Sequence, residues 1–510
     1  MIDDVVIAGA GPNGLMLACE LGLAGLRPIV LERLPEPSTE PRANGLVGRV
    51  VRMLDRRGLY ERLSGSKDPP APVPQYIFGG MSLDLTTLED NPIYTLPAPQ
   101  ARIARVLAER AVELGAQIRY GHGLTGLDQD DEAVTVTVEG PDGTYPIRAR
   151  YLVGADGGRS VTRKLSGIGF PGVSRDDSVA RTVNAYPPAA WVDPATGNLD
   201  IPGYGAVPAF SYHRTERGVF VFAPFPGREP LVTTFEWEPP GDETIPMTLE
   251  EIRASIYRVL GVDMPLDPPK GDGPHLLRRL VGGNTRVAER FRDRRVLLLG
   301  DAAHVHSAIG APGLNLGLQD AVNLGWKLAA ELHGRAPAGL LDTYETERRP
   351  AAERVVMHTK AQNALISPGS EVTGLRELFA ELLRDPANMQ RIADLMSGAD
   401  VRYDMGVRDA HPLVGRWAPD LTVRTETGTV RLAEAARSGR PLLLDLTADA
   451  SLGRAVPAGR VDVITGGSHD APATALLLRP DSHVAWASAA ARPDEAELDG
   501  LRAAVRRWFG

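Results

Sequence analysis

The chain has 510 residues, 43% of them apolar and 24% charged, a balance that fits a globular protein of roughly three domains and excludes a disordered or fibrous one. Its 56 Lys and Arg against 65 Asp and Glu leave a net charge of −9, so no basic footprint invites nucleic acid or an anionic membrane, and a small or nearly neutral partner is expected. The single cysteine, Cys19, excludes an intrachain disulfide, a CxxC redox pair and any cysteine-built metal site, and it fits a reducing, cytoplasmic setting.

Asp3 and Asp4 stand where a secretion signal would carry positive charge, and no apolar run reaches the ~18 residues of a membrane span. Residues 4–9 read as a strand buried on both faces, 13–24 as a helix and 28–32 as a second apolar strand, together one βαβ unit. Between the first strand and the helix lies Gly9-x-Gly11-x-x-Gly14, with Pro12 and Asn13 inside it. Glycines there allow a tight turn and close backbone approach to a pyrophosphate at a helix N-terminus. Glu32 closes the second strand, where a carboxylate can accept hydrogen bonds from an adenosine ribose; this favours FAD or NAD over a 2′-phosphorylated nucleotide.

Apolar strands recur at 151–155 and 295–300, so the nucleotide-binding sheet is expected to be assembled from distant segments, with insertions near 75–100 and 175–285. Alternation at Val219 and Val221, and at Thr233, Phe235 and Trp237, predicts half-buried antiparallel strands in the longer insertion. Its aromatics are dense enough to form either a plain core or a wall for a flat ligand; Tyr204, Phe210, Tyr212, Phe222 and Phe225 are the candidates for such a wall. Helical periodicity governs 317–332 and 375–395, and from about residue 406 short strands alternate with helical pieces. His304 and His306, two residues apart without a third ligand, make a poor metal pair, and no serine sits in a hydrolase setting.

Two further segments carry a resemblance. Tyr151-Leu-Val-Gly-Ala-Asp156-Gly-Gly-Arg159-Ser160, running on to Arg163, and Leu298-Leu-Gly-Asp301-Ala-Ala-His304, running on through Gly313-Leu314-Asn315-Leu-Gly317 and residues 319–327, follow the first fingerprint in order, and residues 344–350 come after them. Together they resemble the signatures of the class A flavoprotein aromatic hydroxylases, the p-hydroxybenzoate hydroxylase type. Residues 406–510, with the run Leu477 to Trp486, resemble the thioredoxin-like appendage of the longer members that act on aromatic polyketides. The fold this implies is α/β and α+β. A discontinuous Rossmann-like FAD-binding domain takes 1–75, 100–174 and 285–350, and an antiparallel-sheet substrate domain takes 75–100 and 175–285. A helical connection over 351–405 and a thioredoxin-like domain over 406–510 complete the chain.

The resemblance also implies the ligands and the residues that meet them. FAD would lie along Gly9 to Gly14, Glu32 and Arg33, with Arg42 near the flavin, Gln100 near the pyrophosphate or ribityl chain, and the Leu124 backbone at the adenine. Asp156, with Arg159 and Arg163, would face both FAD and the reduced nicotinamide. Asp301, closing an apolar strand, would meet the ribityl chain, and Gly313, Leu314 and Asn315 would bring helix N–H groups to the charged edge of the reduced ring. His304 is expected to orient backbone. NADPH or NADH would reduce the flavin, oxygen would add at its C4a position, and the hydroperoxide would hydroxylate a polycyclic aromatic of polyketide or antibiotic type. No side chain stands out as an essential base. Baeyer–Villiger insertion, oxidative inactivation of a drug and a non-catalytic ligand-binding role are the alternatives, and a second copy of the chain is a further expected partner. Ala308, Ala311 and Pro312 stand where related chains carry Pro, Gly and Gln, and Pro312 suits a first helical position.

Overall fold

The computed structural model describes residues 2–40, 43–173, 177–237, 244–271, 273, 275–407 and 410–510. The strand Asp3–Ala8 forms because Val5, Val6 and Ile7 are wholly buried, one alternation facing each side of the sheet. It lies parallel between Ile29–Glu32 and the long strand Gly143–Gly154. Gln117–Tyr120 extends the sheet beyond Ile29–Glu32, and Val296–Leu298 beyond Gly143–Gly154, both parallel. The first half of Gly143–Gly154 pairs antiparallel with Val134–Gly140, so one strand joins a β-meander to a doubly wound sheet. Helices Pro12–Leu23, Gln100–Glu113 and Pro312–Leu332 cover one face with Leu15, Met16, Ile103, Leu107, Leu318 and Leu324.

The long insertion is a five-stranded antiparallel sheet in the order His213–Arg214, Val219–Ala223, Leu231–Trp237, Ser178–Asn184, Leu277–Val281. One face closes on the helix Leu249–Leu260, burying Phe220, Phe222, Val232, Ile252 and Ile256. Thr248 caps that helix, its side chain accepting from Glu251 N. The hairpin Gln75–Phe78 and Met81–Asp84 buries Phe78 and Leu83 against Leu365, Leu383 and Met389 of the helical segment.

The helix Thr343–Ile366 runs across residue 350 with Pro350 inside it. Helical spacing over 375–395 resolves into two helices, Ser370–Leu382 and Pro386–Ser397. The break has a local cause: Pro386 brings no N–H, and Asp385 accepts from Ala387 N at 2.8 Å as a fresh N-cap. The last hundred residues form a four-stranded sheet, Asp462–Thr465, Leu442–Asp445, Ala475–Leu478, Val484–Ser488, under the helix Glu495–Phe509. No helix of the described residues is long and apolar enough to cross a membrane.

Candidate functional site

Three sequence-distant turns meet at the carboxyl ends of adjacent parallel strands, since Ala8 is level with Gly154 and Gly154 with Leu298. Such an edge is where doubly wound sheets bind nucleotides. Gly9 has φ +108°, and a Cβ on it would come within 2.5 Å of Ala155 O; a Cβ on Gly14 would strike Gly9 O. A Cβ on Gly11 would meet nothing within 4 Å, so that side of its backbone faces open space before the helix Pro12–Leu23. Glu32 straddles this turn, accepting from Ala10 N and Leu34 N at 3.0 Å each, and Arg33 beside it is exposed. The Asn13 side chain reaches Gly300 and Gly317, where no Cβ would fit, and its Oδ1 is buried without a protein partner.

Asp156 organises its own turn: Ser160 Oγ donates to Oδ1 at 2.5 Å, and Thr162 N and Oγ1 donate to Oδ2 at 2.9 and 3.0 Å. Arg163, laid on the Phe170 ring at 3.8 Å, donates to Ala302 O at 2.9 Å and Gly158 O at 3.1 Å, which ties the second signature to the third. Arg159 is exposed.

Asp301 corrects one expectation. The strand ends at Leu298 and a tight turn Gly300–Ala302 follows, so Asp301 stands exposed in that turn rather than closing the strand. His304 orients backbone only indirectly. Its Nε2 meets Asp320 Oδ2 at 2.7 Å, and that same oxygen accepts from Gly300 N at 3.1 Å. Burial brings the His306 pKa down to about 4, and its Nδ1 lies 3.0 Å from Ser307 O. The helix Pro312–Leu332 does begin at Pro312, and Ala311 before it adopts φ +55°, ψ +35°. Its first amides, those of Gly313 and Leu314, have no intrahelical acceptor. Asn315 clamps this end, accepting from Val47 N at 3.1 Å and donating to Ala311 O at 2.7 Å. Gln100 opens the helix Gln100–Glu113, its N–H bonded to Ala43 O at 2.9 Å. Leu124 lies in the second strand after that helix, Gly123–Gln129, because Gln117–Tyr120 intervenes. Arg42 falls outside the described residues.

The aromatic candidates divide by strand alternation. Phe222 turns into the core beneath the helix Leu249–Leu260 and is no part of a wall. Tyr204 packs on that same core, its hydroxyl 2.6 Å from His213 Nε2. Tyr212 lies on the opposite face with Val221, Phe235 and Trp237, and this face meets Ile309 of the third-signature loop and Ile366. Phe210 and Phe225 form an edge-to-face pair beyond it, with centroids 5.2 Å apart and Phe210 exposed. Val221, Phe235 and Ile309 were not singled out as wall residues in the sequence; the alternation at 219–221 and 233–237 was the signal that groups the strand residues among them. Asp320 and Arg348, buried under the third signature, carried no separate signal.

These features suit a dinucleotide: an open cradle at Gly11, an unpartnered Asn13 amide oxygen, the Glu32 carboxylate at the end of the second strand and a second helix N-terminus preceded by Ile309 on the apolar sheet face. Among the described residues no group of three or more His, Cys, Asp or Glu could hold a metal ion. Residues 3–359 match the family model described as FAD binding domain, and residues 411–510 match the one described as aromatic-ring hydroxylase, C-terminal. A 12-dehydrotetracycline 5-monooxygenase/anhydrotetracycline 6-monooxygenase of Streptomyces rimosus is 43% identical, over 99% of both chains. A rifampicin monooxygenase of Streptomyces venezuelae is 39% identical over 99% of this chain and 98% of its own. The solved structure of OxyS anhydrotetracycline hydroxylase from Streptomyces rimosus superposes with a TM-score of 0.85 at 41% identity, covering 100% of this chain and 99% of that one. The chain therefore belongs to the FAD-dependent aromatic-ring hydroxylases, the class A flavoprotein monooxygenases of the p-hydroxybenzoate hydroxylase type.

Proposed function

We propose that this FAD-dependent monooxygenase hydroxylates a polycyclic aromatic polyketide or a related antibiotic-like molecule, with NADPH or NADH as reductant. The observation that carries the substrate class is the apolar sheet face of Tyr212, Val221, Phe235 and Trp237 set against Ile309. That face is apolar, as fused rings require, and it packs against Ile309 in the loop leading into the helix Pro312–Leu332. Bound FAD would supply the redox chemistry, hydride acceptance from the nicotinamide and delivery of one atom of molecular oxygen, the other leaving as water.

The protein's share is binding, orientation and exclusion of water. Gly9 to Gly14 and the amides at the start of the helix Pro12–Leu23 take the pyrophosphate, Glu32 with Arg33 the adenosine ribose, and the Leu124 backbone the adenine. Gln100 and Asp301 line the path from pyrophosphate to flavin, and Asp156 with Arg159 forms the side on which the nicotinamide docks. The free amides of Gly313 and Leu314 present partial positive charge where the reduced ring is most negative, with Asn315 holding that end in place. The apolar face keeps water from the reacting carbon, and a phenol on the substrate supplies its own activation.

The test is direct. Purified protein reconstituted with FAD should oxidise NAD(P)H faster when an anhydrotetracycline-like polycyclic phenol is added, and it should release a product one oxygen atom heavier. Nicotinamide consumption that no polycyclic phenol accelerates would overturn the substrate class. Inactivation of an ansamycin-type drug is the second reading, favoured by the likeness to the rifampicin monooxygenase; product NMR separates ring hydroxylation from that outcome and from Baeyer–Villiger insertion. The cytoplasmic setting and a homodimer belong to the same proposal, and light scattering of the purified protein checks the latter.

A further inference from the structure

The run Leu477 to Trp486 has no cysteine, and the hydroxylase chemistry gives it no task. Its Arg479-Pro-Asp-Ser-His483 loop is sunk in the junction with the FAD-binding part. Arg479 donates to both oxygens of Glu347 at 2.6 and 2.8 Å and to Asp481 at 2.5 Å. Lys327 Nζ donates to Glu347 at 2.6 Å, and Trp326 Nε1 to Asp481 at 3.3 Å. Two buried cations thus face two buried anions, an arrangement that is costly to break from one side. It fixes the helices Pro312–Leu332 and Thr343–Ile366 to this loop.

A second limb leaves the same loop toward the cofactor site. The His483 ring stacks on Tyr403, centroids 4.1 Å apart. Tyr403 belongs to the apolar core of the C-terminal unit, and its N–H is bonded to Gly415 O at 2.9 Å. Its hydroxyl accepts from Arg348 Nη1 at 3.0 Å, and Arg348 Nε donates to Asp320 Oδ1 at 2.7 Å. The other oxygen of Asp320 holds Gly300 N and His304 Nε2. Tyr403, Arg348, Asp320 and His304 are all buried. Gly300, at φ +57°, is wedged against Asn13 and precedes Asp301. A continuous run of short contacts therefore joins the C-terminal core to the turn where the first and third signatures touch.

We propose that Tyr403 is a positioning residue for the flavin: through Arg348 and Asp320 it sets where the Gly300–Asp301 turn stands, which gives the C-terminal unit a part in cofactor binding. The inference rests on the FAD site described above, and titration of the wild-type apoprotein with FAD checks that site separately. Tyr403→Phe keeps the stacked ring and removes only the hydroxyl. In the full chain it should bind FAD about tenfold more weakly, with a shifted visible spectrum of the bound flavin and unchanged circular dichroism. His483→Leu, which keeps the Tyr403–Arg348–Asp320 hydrogen bonds but removes the ring behind Tyr403 together with its Nδ1 contact to Asp481, should act in the same direction and less. Arg431→Ala breaks the ion pair with Asp55, at 2.5 Å elsewhere on the same junction; it should lower stability and leave FAD affinity and spectrum alone. Wild-type affinity and spectrum in Tyr403→Phe would overturn the proposal, and so would an equal loss in Arg431→Ala. If Tyr403→Phe does not fold, His483→Leu decides, with wild-type flavin properties counting against.

Discussion

Gly11 and Gly14 share a motif and differ in what a methyl group would do. At Gly11 the added carbon enters open space that the pyrophosphate approaches, so Gly11→Ala should fold normally and lose ten- to a hundredfold in FAD affinity, the equivalent of about 1–3 kcal/mol of overpacking. At Gly14 the carbon meets the backbone of Gly9, so Gly14→Ala should lower the urea midpoint of the apoprotein itself. A fluorescence titration and an unfolding curve on both variants separate the two roles. Ala311 is the reverse case, a side chain held at φ +55° where glycine is at ease. Ala311→Gly should stabilise the chain by about 1 kcal/mol, read from the same unfolding curve. At this scale the sequence was most legible where chemistry and backbone agree: the glycine spacing forms a tight turn at the strand end, and Glu32 ends the second strand. Asp301 and Asp156 were harder. Whether a carboxylate points into a strand end or out of a turn, or spends its oxygens on Ser160 and Thr162, depends on a few dihedral angles that residue type does not encode.

Among the elements, the central sheet was the easiest to read, because strands buried on both faces are continuous apolar runs that cannot be placed anywhere else. The strand Val219–Ala223 shows the limit. Its Phe222 is a wall candidate by residue type, yet alternation sends it, with Phe220, into the core and leaves Val221 on the face toward Ile309. Composition ranks the aromatics alike; only knowledge of which face meets the FAD-binding part divides them. The division is testable. Phe222→Ala should cost about 3–5 kcal/mol of stability with little change in KM for the folded fraction, whereas Phe235→Ala should spare most of the stability and raise KM about tenfold. Steady-state kinetics beside denaturant melts would distinguish them. The split between Ser370–Leu382 and Pro386–Ser397 was encoded in Asp385-Pro386 all along, a stronger local signal than the apolar periodicity that runs through it.

For the molecule as a whole, burial of neutral imidazole sets the response to acid. Desolvation brings His306, His358 and His483 each down to about 4 from 6.5. Their folded values lie below the unfolded ones, so the stability they contribute is complete above pH 6.5 and is lost as the pH falls toward 4. Each accounts for on the order of 3 kcal/mol at the acid end. The melting temperature should therefore fall steadily from pH 7 to pH 4.5, and His358→Phe should flatten that slope, as differential scanning calorimetry across the range would record. The separation in chain between Asp3–Ala8 and Val296–Leu298, which end side by side with Gly143–Gly154 between them, bears on biogenesis. A polypeptide still emerging from the ribosome leaves the opening strand with one uncovered edge until Gly143–Gly154 has been synthesised, and the far edge of Gly143–Gly154 then stays uncovered until Val296–Leu298 follows, a topology that favours slow, late closure. Vitamin-derived cofactor can be captured only after the Pro312–Leu332 segment has emerged, so cells starved of riboflavin should accumulate full-length but open, protease-sensitive chains rather than short ones.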